Sequence, residues 1–300
     1  MNLENERILY RAKAFTNTMS QGNPAGVVFG CEGFTDRQKI ILARELNTIS
    51  ETVFIGPGSG GAGYRLRYFT SECEVDVCGH ATIAALFALA WTGEISAESG
   101  TVDVPVETRV GPLFTRISFS GGLPEYAIME QLEPQVVSGP DPGLAADVLG
   151  LPDSAIERDF PPLCGYTGLW ACFVPLSDVA WLEKISPDQN RICELMPENP
   201  DLTGVYPFAF IDETTTQGRF IVSPGYGIDE DPVTGTACGA LGGCLYFSGR
   251  ISKGNVLLAR QGYEIGQGGT VRVEYGTNGR IRIGGTALPV FSGTLVSEPS

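Results

Sequence analysis

Two stretches of this 300-residue chain have no face to show to water. HATIAALFALAWTG (80–93) and TACGALGGCLYFSG (236–249) read as helices, yet neither contains an Asp, Glu, Lys or Arg. A surface helix carries an apolar stripe and a polar face, whereas one that is apolar all round must be enclosed on every side. Each stretch sits among short segments that read as strands, YRLRYFT before the first and GRFIVSP before the second. The sequence therefore sets strand, tight turn and enclosed helix twice over. It predicts an α+β fold of two similar half-domains, each a mostly antiparallel sheet wrapped around a central helix, with a cleft between them. The expected boundaries are 1–128 for the N-terminal half-domain and 129–285 for the C-terminal one. A strand at about 286–298 is expected to return to the first, and SGGLPEYAIMEQL (120–132) reads as the linker, with YAIMEQL strand-like.

Lesser elements fill this plan. AKAFTNTMSQGNPAGVVFG reads as strand, turn and strand, with Gly22, Asn23 and Pro24 in the turn. Thr35 caps an amphipathic helix that includes Ile40, Ile41 and Leu46 and fades near Asn47. LAADVLGL and the region from Asp178 to Leu195 read as helical, and the tail as short strands and glycine turns. Gly56, Gly58 and Gly61 satisfy G-x-G-x-x-G, but a dinucleotide site needs that turn to open a helix and here a strand follows, so the motif reads as a hairpin loop.

Composition narrows the function classes. A net charge of −15 repels phosphate backbones and anionic lipid, which argues against nucleic acid and membrane partners. No segment reaches the ~18 apolar residues of a membrane span, and the N-terminal residues lack a signal core, so a cytoplasmic location is expected. The eight cysteines lie mostly in apolar segments and read as small buried hydrophobes in a reducing compartment. Cys73, Cys78 and His80 are close enough in sequence to suggest zinc, but no fourth ligand lies at a suitable spacing, so no metal is expected.

The chemistry points instead to the two helix starts. The first turn of a helix leaves amides without intrahelical partners and carries partial positive charge, which suits a carboxylate. Gly79 and His80 open one enclosed helix, and Gly235 and Thr236 open the other. Near them stand three groups able to move protons: Glu51, His80, which is the chain's single histidine, and Asp231. Each has an ordinary structural alternative. Glu51 could be an exposed strand residue, His80 a cap, and Asp231 the cap of a D-P turn.

GNPAGVVF, SETVF, RYFTSECEVDVCGHAT, GIDEDPVTGTA and QGYEIG, in that order, resemble the phenazine-biosynthesis PhzF-like proteins of the wider diaminopimelate epimerase-like group. The resemblance runs from about Ala14 to Leu295. It implies the two-half fold, no cofactor, a possible homodimer, and an isomerase that moves a proton on a small carboxylic acid. By motif match the glutamate that carries the proton is Glu51, assisted by His80 and Asp231. Gly235, Thr236 and Gly79 fall on carboxylate-binding positions, with Thr236 where a serine is usual. Related racemases use two thiols, so Cys78 and Cys238 form an alternative pair. Aligned on the Thr-Gly of the turn, however, the second thiol position falls on Pro232, and Cys238 lies a full turn into its helix. A third alternative is a protein that binds a small carboxylate without catalysis.

Overall fold

The structure is a computed structural model that describes residues 7–46, 50–59, 63–199, 201–225 and 227–299. The chain forms two compact units. One comprises Met1–Glu130 with Gly284–Ser300, the other Gln131–Ile283.

In the first unit, strand Ile8–Ala14 pairs antiparallel on one side with Asn23–Phe29 and on the other with Ala287–Thr294. Asn23–Phe29 runs parallel to Thr52–Pro57, which pairs antiparallel with Tyr64–Phe69. Asn23–Phe29 is buried at every position, as a strand covered on both faces must be. Against one face lies helix α1 (Asp36–Glu45), whose Leu42 and Ala43, with Leu46 beyond its end, pack on Val28, Phe54 and Phe69. Thr35 closes a capping box with Gln38, as its spacing from a glutamine allows. The expected apolar positions Ile40 and Ile41 are only half-buried, because the helix turns Lys39, Leu42 and Ala43 inward. The buried Lys39 ammonium donates to the Phe34 carbonyl at 2.6 Å.

Helix α2 (Gly79–Trp91) packs against Asn23–Phe29 and Leu123–Glu130. Every residue from Gly79 to Leu89 is buried. Each Leu, Ile or Phe among them contributes roughly 1.5–3 kcal/mol by leaving water. The enclosure read from its composition is what forms.

The second unit repeats the plan. Strands Leu163–Tyr166 and Trp170–Pro175 pair antiparallel, and Trp170–Pro175 runs parallel to Leu202–Phe210. Thr215–Gly218 pairs antiparallel with Leu202–Phe210 and parallel with Leu257–Gln261, which is antiparallel to Gly269–Tyr275. Helix α3 (Pro142–Val148), capped by Asp141, joins a core that includes Cys164, Cys172, Val174 and Val205. Helix α4 (Gly235–Phe247) is buried from Gly235 to Tyr246. Its glycines let strands come close: a Cβ on Gly242 would stand 2.5 Å from Val273 Cγ1.

Three local readings change. Asn23 and Pro24 belong to the strand, and Gly22, at φ +76°, carries the end of the turn alone. The stretch expected as a linker is mostly an eight-residue strand, Leu123–Glu130, with Ala127 and Met129 buried; it starts three residues before the strand-like YAIMEQL and follows the two glycines directly. The region from Asp178 to Leu195 is two 3-10 turns, Val179–Lys184 and Gln189–Leu195, each started by an aspartate side chain and separated at Pro187. Gly56 lies within strand Thr52–Pro57, opposite Arg65 of Tyr64–Phe69, while Asn47 and Gly61 lie outside the described residues.

Candidate active site

In the first unit, Glu51 directly precedes strand Thr52–Pro57 and His80 opens α2. The fold brings these positions, distant in sequence, together: His80 Nε2 is 3.4 Å from Glu51 Oε2. Ser50 stands between them. Its hydroxyl donates to Glu51 Oε2 at 2.8 Å and lies 2.8 Å from His80 Nε2. On the other side, Cys78 Sγ is 3.3 Å from His80 Nδ1. A hydroxyl has one hydrogen, so with that hydrogen on the carboxylate a neutral ring is assigned the tautomer that donates from Nε2 and accepts at Nδ1. The result is a directed chain: the Cys78 thiol to Nδ1, Nε2 to the Ser50 oxygen, and the Ser50 hydroxyl to Glu51.

The start of α2 is held from below. The Thr82 hydroxyl donates to the Cys78 carbonyl at 2.7 Å and lies 2.7 Å from the buried Tyr68 hydroxyl, whose pKa burial raises. Cys78 occupies the N-cap position but makes no capping bond with its side chain, and the first turn contains no acid. A carboxylate, thiol and imidazole from Glu51, Cys78 and His80 offer ligand atoms all within 4.8 Å of one another. Cys73, the third ligand suggested by spacing, is exposed and turned to Thr70 instead.

In the second unit, Asp231 ends the short strand Glu230–Asp231 and α4 begins four residues on. Thr234, at the N-cap, makes no capping bond with its side chain; its hydroxyl donates to Asp231 Oδ2 instead. The fully buried Gln261 fastens this turn. Its Nε2 donates to the Asp231 carbonyl at 2.7 Å and to Thr234 Oγ1 at 3.1 Å, and its Oε1 accepts from the Thr234 amide at 3.0 Å. Gly262 permits the approach. Its φ is +81°, and a Cβ there would lie 2.2 Å from the Pro232 carbonyl oxygen. Thr236 is buried in the first turn of α4, its carbonyl held by the Thr167 hydroxyl at 3.0 Å.

The neighbouring carboxylates Glu230 and Asp231 are sorted by their partners. Glu230 takes a two-pronged bond from Arg219, at 3.0 and 2.6 Å, and the same guanidinium donates to the Leu182 carbonyl. Glu230 is thus committed to the fold. Cys238 is fully buried, 3.6 Å from both the Tyr206 hydroxyl and Gln261 Oε1, and burial pushes its thiol up to about 12.

Sequence reasoning located Glu51, Cys78 and His80, which come together in one unit, and Asp231, Gly235 and Thr236, which come together in the other. It named Thr234 only as part of the second helix start, without its bond to Asp231, and it missed Ser50 and Gln261. The signal for Ser50 was its place in the quoted motif, and for Gln261 its place in QGYEIG.

A family model described as phenazine biosynthesis-like protein matches residues 12–293. An uncharacterized isomerase of Bacillus subtilis, YfhB, is 35% identical over 297 residues, 97% of this chain and 98% of its own. The trans-2,3-dihydro-3-hydroxyanthranilate isomerase of Pseudomonas aeruginosa is 31% identical over 254 residues, 85% of each chain. The crystal structure of a Bacillus anthracis phenazine biosynthesis protein of the PhzF family superposes with a TM-score of 0.84 at 29% identity, covering 98% of this chain and 100% of that one.

Proposed function

The chain belongs to the phenazine biosynthesis-like protein family and is an isomerase, and from that membership we propose that it moves a proton on a small carboxylic acid by acid/base catalysis centred on Glu51, without a cofactor. The observation that carries this reading is the hydrogen-bonded set Glu51–Ser50–His80 at the start of an enclosed helix.

In this reading the Glu51 carboxylate removes a proton from a substrate carbon and returns it to another. When Glu51 takes the proton it becomes neutral and the negative charge passes to the substrate, while the Ser50 hydroxyl keeps both Glu51 and His80 in place for the return of the proton. Asp231, oriented by Thr234, is the second acid/base group. The first-turn amides at Gly235 and Thr236, with the Thr236 hydroxyl, are carboxylate-binding positions at the start of α4, and the Gly79 amide is one at the start of α2. Neither helix spends these amides on a side-chain cap, a bond worth about 1 kcal/mol elsewhere. The forgone caps and the partial positive charge suit an anionic substrate group.

The two-thiol reading is disfavoured by Cys238: a thiol held at about 12 in the core is neither a ready base nor within reach of solvent. Cys78 is placed against His80, which suits a substrate-contacting or ring-orienting role.

The test is a screen for proton abstraction. The protein is incubated in D₂O with trans-2,3-dihydro-3-hydroxyanthranilate, named for the Pseudomonas relative, and with a panel of cyclic and amino carboxylic acids. Deuterium on carbon is read by mass spectrometry. Incorporation into at least one acid is expected. Tight binding of panel acids with no incorporation into any of them would move the protein to the non-catalytic class.

A further inference from the structure

The thiol of Cys238, unused by the proposed reaction, occupies a position that the first unit also fills. EVDVCGHAT (74–82) and EDPVTGTAC (230–238) carry Glu, Val, Gly and Ala at the same places. In each, the leading glutamate takes a two-pronged bond from an arginine: Glu74 from Arg67 at 2.7 Å to each oxygen, Glu230 from Arg219 at 3.0 and 2.6 Å. In this register Cys238 corresponds to Thr82, the fourth residue of its helix. Both are fully buried. Thr82 is clasped between the buried Tyr68 hydroxyl and the Cys78 carbonyl, in the turn that opens α2. Cys238 is clasped likewise, 3.6 Å from the buried Tyr206 hydroxyl on one side and 3.6 Å from Gln261 Oε1 on the other.

We propose that Cys238 is a positioning residue for Asp231, acting through Gln261; this rests on the reading of Asp231 as an acid/base group. The thiol keeps its proton at neutral pH, because burial raises it to about 12. Its one hydrogen goes to Gln261 Oε1, and the Tyr206 hydroxyl donates to the sulfur. Gln261 Oε1 then accepts from both Cys238 and the Thr234 amide, so its Nε2 faces Thr234 Oγ1 and the Asp231 carbonyl. A flipped amide would set its hydrogens against both donors. Thr234 passes the orientation on, its hydroxyl donating to Asp231 Oδ2. A thiol that only fills space needs none of these bonds. The two roles part on substitution: filler tolerates alanine better than serine, whose hydroxyl costs free energy when buried without a partner, while a donor tolerates serine better than alanine.

The test compares the full chain with Cys238→Ala, Cys238→Ser and Tyr206→Phe, each checked for folding by circular dichroism. Backbone hydrogen–deuterium exchange at the Thr234 amide, read by NMR, needs no substrate. That amide should exchange about 3–10-fold faster in Cys238→Ala, the scale of one lost hydrogen bond, and near the parent rate in Cys238→Ser. Tyr206→Phe, which removes the hydroxyl that orients the thiol, should also speed it. With the acid that takes up deuterium as substrate, kcat should fall about 3–10-fold in Cys238→Ala with KM unchanged, and recover in Cys238→Ser. The proposal is overturned if Thr234 exchange is unaltered in both Cys238→Ala and Tyr206→Phe, if the serine variant does no better than the alanine variant, or if kcat in Cys238→Ala stays at the parent value. A parent that labels no acid at all sinks the isomerase reading instead, and the amide rates alone then decide whether Cys238 holds the turn.

Discussion

Ser50 holds two groups with one oxygen, and that makes it the most sensitive untested position beside Glu51. Removing its hydroxyl leaves the carboxylate and the imidazole to meet at 3.4 Å with nothing between them. Ser50→Ala is expected to lower kcat by up to about 100-fold, the low end of what positioned proton transfer contributes, with little change in KM. Steady-state kinetics on the acid found by exchange checks this, and an unchanged kcat would remove Ser50 from the account. Cys238 makes a separate point at this scale. Its thiol keeps its proton up to about 12 in the folded chain, against an ordinary 9.0. Above pH 9 the unfolded chain therefore loses a proton that the folded chain retains. Stability is complete below that pH and falls as pH rises toward the folded value, by about 1.4 kcal/mol per pH unit from this group. Cys31, held up to about 11 by burial, adds to the loss. Thermal melts from pH 8 to about pH 10.5 should show a falling Tm, and Cys238→Ala should show a shallower fall, by about 2 kcal/mol over that range.

At the scale of elements, the turn before α4 depends on a residue from another strand. Gln261, at the end of Leu257–Gln261, makes three bonds to the backbone and side chain of Asp231 and Thr234. Gln261→Ala leaves a buried amide and carbonyl without their partner, so a loss of roughly 1–3 kcal/mol per orphaned group is expected in urea denaturation. Activity should fall further than stability explains, because Asp231 and the first turn of α4 lose their common anchor. Gly262→Ala meets both a left-handed φ and the Pro232 carbonyl and should be worse tolerated than an alanine at exposed Gly266. The elements themselves were legible to different degrees. The two enclosed helices could be read from composition alone, because a helix with no charge has one kind of environment open to it. The strand Leu123–Glu130 was legible in part, as YAIMEQL; only its start was obscured, because two glycines and a proline there imitate a linker. The 3-10 turns after Asp178 were misread because a propensity scale does not separate a short i→i+3 turn from a helix; the proline at 187 was the available clue. Of the candidate site, the motif residues were legible and their supports were not. Thr234 and Gln261 are 27 positions apart, and only the fold shows that they meet.

For the whole molecule, each of two compact units encloses one apolar helix and places an acid/base group by its start: Glu51 with His80 at α2, and Asp231 with Thr234 at α4. The chain carries a net charge of −15, so these helix starts are where an anion gains most within an otherwise repelling surface. Among the described residues no helix is long and apolar enough to cross a membrane. The central claim is that Glu51, and not a pair of thiols, carries the proton. The measurement that tests it most directly is deuterium incorporation from D₂O into the accepted acid by the parent protein, Glu51→Gln, Cys78→Ala and Cys238→Ala. The account expects incorporation to vanish in Glu51→Gln and to persist at a measurable rate in both cysteine variants. Incorporation that continues in Glu51→Gln while either cysteine variant is inactive would contradict it.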